Sequence, residues 1–143
     1  MRITTGDIYR GSVILILVLI NLCSAPADKK NTFTNPLYRG QDPFVVKHTD
    51  GFYYYCEADE DSIMVWKSRK LTDRGNRKVV WKTPEKGWNR AEVWAPELHY
   101  IKEKWYIYYA ADSGENMYHR TGVLESLSQE PQGPYTDRGM LYT

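Results

Sequence analysis

An all-β fold made of tandem strand repeats is predicted by three features of the sequence. Its 143 residues include 12 Tyr, 5 Trp and 3 Phe, residue types that favour half-buried strands and supply the apolar area that disordered chains lack. Short apolar runs alternate with turn residues, and no convincing amphipathic helix interrupts them. One ungapped offset of 53 residues sets Phe52-Tyr53-Tyr54-Tyr55 on Trp105-Tyr106-Ile107-Tyr108. At that offset Pro43 falls on Pro96, Val45 on Leu98, Ala58 on Ala111 and Asp59 on Asp112. Strand repeats of about 40–50 residues are the mark of β-propeller blades. The length suits one domain. The formal charge is +1, with 19 Lys+Arg against 18 Asp+Glu, so there is no basic excess to displace counterions and no nucleic-acid partner is expected.

The elements of the first unit follow in order. Phe44 to Lys47 is an apolar strand, and Asp50-Gly51 is a tight-turn signal. Phe52 to Cys56 is an aromatic strand. Ser62 to Ser68 alternates as a third, Leu71 to Arg77 reads as a loop, and Lys78 to Lys82 is a fourth strand. The second unit runs from Glu97 to Ile101, turns at Lys102-Glu103-Lys104, returns along Trp105 to Ala110 and continues from Tyr118 to Glu125. Ser126 to Pro134 is a loop rich in Gly, Pro and polar residues. The Tyr53–Tyr55 and Tyr106–Tyr109 runs are expected to pack between blades, where aromatics bury large areas.

Residues 1–27 are set apart as a secretory signal peptide. Arg2 and Arg10 make a basic start, Val13 to Ile20 is unbroken apolar sequence, and Ala25 and Ala27 hold the small-residue positions of a cleavage site. The apolar run is shorter than the roughly 20 residues that span a bilayer core. Cleavage leaves residues 28–143 with 17 charges of each sign and Cys56 as the remaining cysteine, so no intramolecular disulfide is available. The expected destination is secreted, extracellular or periplasmic, with no stable membrane association after cleavage. Residues 28–143 hold about 2.2 repeats, whereas a propeller closes with roughly four to eight blades. They are therefore expected to be the N-terminal part of a longer propeller or of a truncated gene model. A small autonomous β-sandwich is the alternative.

Chemistry is sought where each unit begins. Asp42-Pro43 opens the first, and Glu92-Val93-Trp94-Ala95-Pro96-Glu97-Leu98-His99 opens the second. An isolated acid before a strand is more often a turn former. In a propeller, however, the first strand of every blade lines the central channel. Asp42 would then share a pocket with Trp94 and Glu97, carboxylates for acid–base work beside an indole face for a ring.

The stretch Arg39-Gly40-Gln41-Asp42-Pro43-Phe44 with the Asp50-Gly51-Phe52-Tyr53 hairpin resembles the opening of glycoside hydrolase family 43. Val93-Trp94-Ala95-Pro96-Glu97-Leu98-His99 resembles its second-blade motif, and Gly133-Pro134-Tyr135-Thr136-Asp137-Arg138-Gly139 the end of that blade. The resemblance covers about residues 35–143. It implies a five-bladed propeller that hydrolyses arabinose- or xylose-containing plant polysaccharides with inversion, its partners being arabinan, arabinoxylan or xylan oligosaccharides. It also implies that Asp42 is the general base and that Trp94 and Glu97 bind substrate, Glu97 not being the proton donor. The carboxylate that modulates the acid and the acid itself are implied beyond Thr143, and a fragment without them is expected to be inactive alone. No cofactor is expected and no metal is assigned, since His48, His99 and His119 lack metal-ligand spacing. The basic cluster of Lys67, Arg69, Lys70, Arg74, Arg77 and Lys78 is read as a solvated turn. A non-catalytic carbohydrate-binding propeller and a non-functional truncated product are the competing readings.

The leader generates the first prediction. N-terminal sequencing of the chain recovered from medium or periplasm should begin at Asp28; recovery of intact Met1 in the membrane fraction would refute the signal peptide.

Overall fold

A computed structural model describes residues 32–142; the predicted signal peptide lies outside the described residues. Eight strands make two four-stranded antiparallel sheets, each a meander with neighbours in chain order. The first sheet holds β1 (Phe44–Lys47), β2 (Tyr53–Asp59), β3 (Ser62–Ser68) and β4 (Asn76–Lys82). The second holds β5 (Ala91–Ile101), β6 (Lys104–Asp112), β7 (Arg120–Ser126) and β8 (Tyr135–Met140), with a 3-10 turn at Asn116–Tyr118 between β6 and β7. Two consecutive meanders of four strands are two propeller blades, as the 53-residue repeat predicts.

The repeat holds on the second strands and slips by one residue on the first. Tyr54 pairs with Val46 in one sheet, and its counterpart Ile107 pairs with Leu98 in the other. The first hairpin turns through Thr49, Asp50 and Gly51, closed by the His48 N–H on the Phe52 carbonyl at 2.9 Å. The second turns through Lys102 and Glu103 alone, both left-handed with φ of 47° and 65°. One fewer loop residue changes the face each first-strand side chain meets. Val45 is 41% exposed, while Leu98, its partner at the 53-residue offset, is 1% exposed.

Other departures from the sequence reading have local causes. β5 begins at Ala91, six residues before the expected Glu97, because register shifts on either side of Trp94 let the strand pass through Pro96. Bulges are where a strand tolerates proline. β4 starts at Asn76, inside the expected loop, β7 starts at Arg120 after the 3-10 turn, and β8 adds a fourth strand over Tyr135–Met140.

Period-two alternation puts Trp105, Ile107, Tyr109 and Ala111 on one face of β6, and all four are buried. They meet Tyr54, Cys56, Ile63 and Val65 of the first sheet in a continuous core. The indole of Trp105, fully buried, lies 5.8 Å from the Tyr54 ring and 4.8 Å from His48. Trp81 of β4 reaches Tyr109 at 5.1 Å, and Trp88 stacks on the same tyrosine. Gly122 makes that stack possible. A Cβ there would sit 2.6 Å from Trp88 and 2.7 Å from Tyr109, closer than packed atoms approach. Of the two tyrosine runs, Tyr54 and Tyr109 face this core, and their neighbours alternate to the opposite faces.

Four residues of the basic cluster, Arg69, Lys70, Arg77 and Lys78, are exposed as a solvated turn requires, while Lys67 and Arg74 are partly buried and packed. Arg74 pairs with Glu57 at 2.9 Å and lies over Tyr38 and Trp66 at 4.4 and 5.3 Å. Trp66 also donates its indole N–H to Glu57 at 3.1 Å. Lys67 sits over Phe52 at 4.4 Å, between Asp50 and Glu130. Stacking retains the guanidinium on ring faces, a contact that charge counting along the sequence does not reveal.

Asp50 ties the first hairpin together. Its Oδ1 accepts the Phe52 N–H at 3.0 Å and its Oδ2 accepts the Tyr54 hydroxyl at 2.6 Å. Burial pushes the Asp50 pKa up, but these two hydrogen bonds, with His48 and Lys67 nearby, outweigh it and leave the carboxyl below its ordinary value of 3.8. Burial and the Asp50 acceptor hold the Tyr54 phenol far above the usual tyrosine range, so it remains a donor. A depressed carboxylate contributes stability above its unfolded-state pKa and loses it as pH falls through the folded value. Asp50→Ala should therefore cost about 1 kcal/mol at neutral pH, a figure discounted for partial solvent screening. In urea unfolding the gap to the parent should be whole above pH 3.8 and close below it; a gap independent of pH would show that the charge contributes nothing.

Candidate functional site

The turns that lead into the first strands place the residues singled out from the sequence. Asp42 and Ala95, each immediately before a proline, both adopt left-handed backbone with φ of 48° and 44°, and Glu92 does so at 52°. A non-glycine residue held there costs about 1–3 kcal/mol, and such residues cluster at functional sites. The 53-residue repeat is thus intact at these two kinks, although it slips further along each strand.

Asp42 and Trp94 line one small cleft of about 10 Å³ with Gln41 and Ala58. Gln41, Ala58 and Trp94 continue into a neighbouring cleft of about 520 Å³, whose wall carries Asp59, Asp61 and Glu92 with Arg90. The two units therefore bring an acid from before β1 and an indole from β5 to one surface. A separate, mostly apolar hollow of about 350 Å³ is lined by Leu37, Tyr38, Phe44, Tyr55 and Leu71, and Asp42 is not part of its lining.

Glu97 stands apart from this surface. It lines neither cleft that borders Trp94, and its Oε2 pairs with Nε2 of His99 at 3.1 Å with 56% of its side chain exposed. His99 in turn packs against Phe44 at 5.2 Å and Tyr108 at 5.6 Å. His48 belongs to the seam between the sheets, through Tyr100 and Trp105. Cys56 is fully buried and free, and burial pushes its thiol well above the ordinary range, so it carries no nucleophilic chemistry.

His119 does meet the site. Its ring stacks on the Trp94 indole at 4.0 Å between centroids with an interplanar angle of 27°. Its Nδ1 lies 2.8 Å from Oδ2 of Asp112, a carboxylate with no exposed surface. No spacing in the sequence signals this contact, because the partners are 25 positions apart on β5 and on the turn before β7. The acids and Arg90 of the larger cleft come from two short stretches, residues 59–61 and 90–92, one from each sheet's surroundings. Among the described residues no group of three His, Cys, Asp or Glu side chains is arranged to hold a metal ion.

Two four-stranded blades with a cleft where their first strands begin define part of a five-bladed β-propeller. The model for glycosyl hydrolases family 43 matches residues 33–143, and the chain belongs to that family. An extracellular exo-α-(1→5)-L-arabinofuranosidase of Streptomyces avermitilis is 37% identical over 84% of the chain and 26% of its own length. Alpha-L-arabinofuranosidase 43 of Humicola insolens is 33% identical over 90% of the chain and 28% of its own length. The crystal structure of an α-L-arabinofuranosidase from Lactobacillus brevis superposes with a TM-score of 0.69 at 30% identity, covering 78% of this chain and 39% of that one. The chain thus spans about a quarter to two fifths of the length of these relatives.

The exposure of the Glu97–His99 pair sets an energetic expectation. Ion pairs open to solvent are worth little. Glu97→Gln should change the stability of the protein by less than about 0.5 kcal/mol in chemical denaturation; a loss several times larger would mean that Glu97 is structurally committed.

Proposed function

We propose that this chain carries the first two blades of a secreted glycosidase that hydrolyses arabinose- or xylose-containing plant polysaccharides with inversion. Membership of family 43 supports the reaction class, and the relatives named as extracellular arabinofuranosidases support arabinose among the substrate sugars and the export. The observation that carries the reading is the position of Asp42, in a left-handed turn and sharing a cleft with Trp94.

An inverting hydrolase needs a carboxylate that takes a proton from water on one face of the sugar and a carboxylic acid that protonates the leaving oxygen, about 6.5–9.5 Å away across the ring. Asp42 is assigned as the base. Trp94 offers an indole face to the apolar C–H surface of a pentose, with the electron-rich ring meeting weakly positive hydrogens. Glu97 is assigned to positioning rather than proton transfer, because it is exposed, paired with His99 and outside the cleft that Asp42 lines. Within residues 32–142 the reading assigns no general acid, and the third carboxylate is likewise assigned elsewhere in the complete propeller.

The test is Asp42→Asn in the protein with its complete propeller. The amide keeps the shape of the side chain and cannot accept the proton from water. kcat should fall by about 10²–10⁴, which is about 3–5 kcal/mol of barrier, while oligosaccharide affinity changes by only a few-fold. Near-normal turnover would remove the assignment. The 143-residue chain should not turn over aryl arabinofuranosides or xylosides; turnover by that chain would make Glu97 a candidate for the acid.

A further inference from the structure

We propose that Asp112 and His119 are positioning residues that hold Trp94 as a rigid platform for the sugar, a role that rests on the glycosidase reading above. Three layers build it. Asp112 ends β6 with no exposed surface, and its Oδ1 accepts the Gly114 N–H at 2.6 Å, which anchors the carboxylate to the backbone. Its Oδ2 lies at ion-pair distance from His119 Nδ1, off the line of a hydrogen bond. The His119 ring, with 16% of its side chain exposed, then covers the Trp94 indole nearly face to face.

Cost and benefit argue for a role beyond packing. Asp112 Oδ2 and both His119 ring nitrogens are buried without a hydrogen-bond partner among the described residues, an arrangement that costs stability. A phenylalanine and a leucine would fill the same space without that cost. What the polar pair adds is orientation: the Asp112 carboxyl, 2.8 Å from Nδ1 and anchored to the backbone, restricts the plane of the ring. The neighbouring contacts fix the backbone that carries it. The His119 N–H donates to the Asn116 carbonyl at 3.1 Å, and Arg120 Nη1 donates to the His119 carbonyl at 2.7 Å.

Trp94 needs such support because it is 36% exposed and sits on a bulged stretch of β5. With one face of the indole taken by His119, Trp94 borders both the small cleft with Gln41, Asp42 and Ala58 and the neighbouring cleft of about 520 Å³, and the larger one has room for a pentose ring. An indole fixed before the ligand arrives loses no rotamer freedom on binding, so more of the stacking energy appears as affinity. The ligand class is a neutral pentose ring that lies flat on the indole, beside the carboxylate proposed as base.

Fluorine NMR on the protein with its complete propeller, labelled with 5-fluorotryptophan, tests this, since each tryptophan gives one signal and Trp94→Phe identifies the relevant one. His119→Ala should broaden the Trp94 signal and move it toward the free-indole position, leaving those of Trp66, Trp81, Trp88 and Trp105 in place. His119→Phe, which restores a stacked ring without the carboxylate contact, should restore the signal only in part, and Asp112→Asn should broaden it. Arabinotriose titrated into the parent should displace the Trp94 signal, with a Kd weakened about ten-fold in His119→Ala and less than about three-fold in His119→Phe. A Trp94 signal unchanged by His119→Ala and Asp112→Asn overturns the positioning role, whatever the sugar does. A parent signal that neither arabinotriose nor xylotriose moves, in a protein whose variants broaden as expected, supports the stack and overturns the sugar platform. If His119→Ala displaces every tryptophan signal the variant has lost its fold, and the Asp112→Asn signal decides.

Discussion

The burial of Trp105 between the two sheets is the contact on which the rest of the described structure depends. Its indole has no exposed surface and touches both Tyr54 and His48 of the first sheet. Removing a buried tryptophan typically costs about 3–5 kcal/mol, a large share of the 5–15 kcal/mol that separates a typical folded domain from its unfolded chain. Around it Ile107, Leu98 and Leu124 from one sheet meet Ile63, Val65 and Cys56 from the other. Gln132 adds a polar tie by donating to the carbonyls of Val65 and Asn76 at 2.8 and 2.9 Å.

This seam also sets the geometry of the cleft. With the two sheets held by their facing strands, the turns before β1 and β5 come to one surface, and Asp42 and Trp94 with them. Both turns are kinked by a left-handed residue before a proline, a conformation that local preferences disfavour. Tertiary packing maintains it. The strain is therefore located where the proposed chemistry is, and the stability that offsets it comes from the aromatic core.

The site is layered from the core outward. Buried Asp112 faces His119, His119 covers Trp94, and Trp94 borders the cleft. The indole needs a fixed orientation to be useful, and an edge position on a bulged strand does not supply one by itself. Glu97 has the opposite character: exposed and paired with a histidine on its own strand.

The all-β class, the two-unit organisation and the approximate place of most strands were legible in the sequence, because alternation and turn chemistry act between near neighbours. That the stretches holding Asp42 and Trp94 open the two units was legible as well, through the matching prolines of the repeat. The one-residue slip between β1 and β5 was hidden because a loop one residue shorter changes which face a strand presents without disturbing its composition. The early start of β5 was hidden because proline reads as a break unless a bulge accommodates it. The stacking of Arg74 on Tyr38 and Trp66, and of His119 on Trp94, joins residues far apart in the chain. Local sequence thus determined the repeat and the approximate place of most strands. Tertiary structure alone decided that Asp42 and Trp94 share a cleft, that Glu97 is outside it and that a buried carboxylate and a histidine stand behind the indole, because those relations depend on sheet register and inter-sheet packing, which no short window of sequence contains.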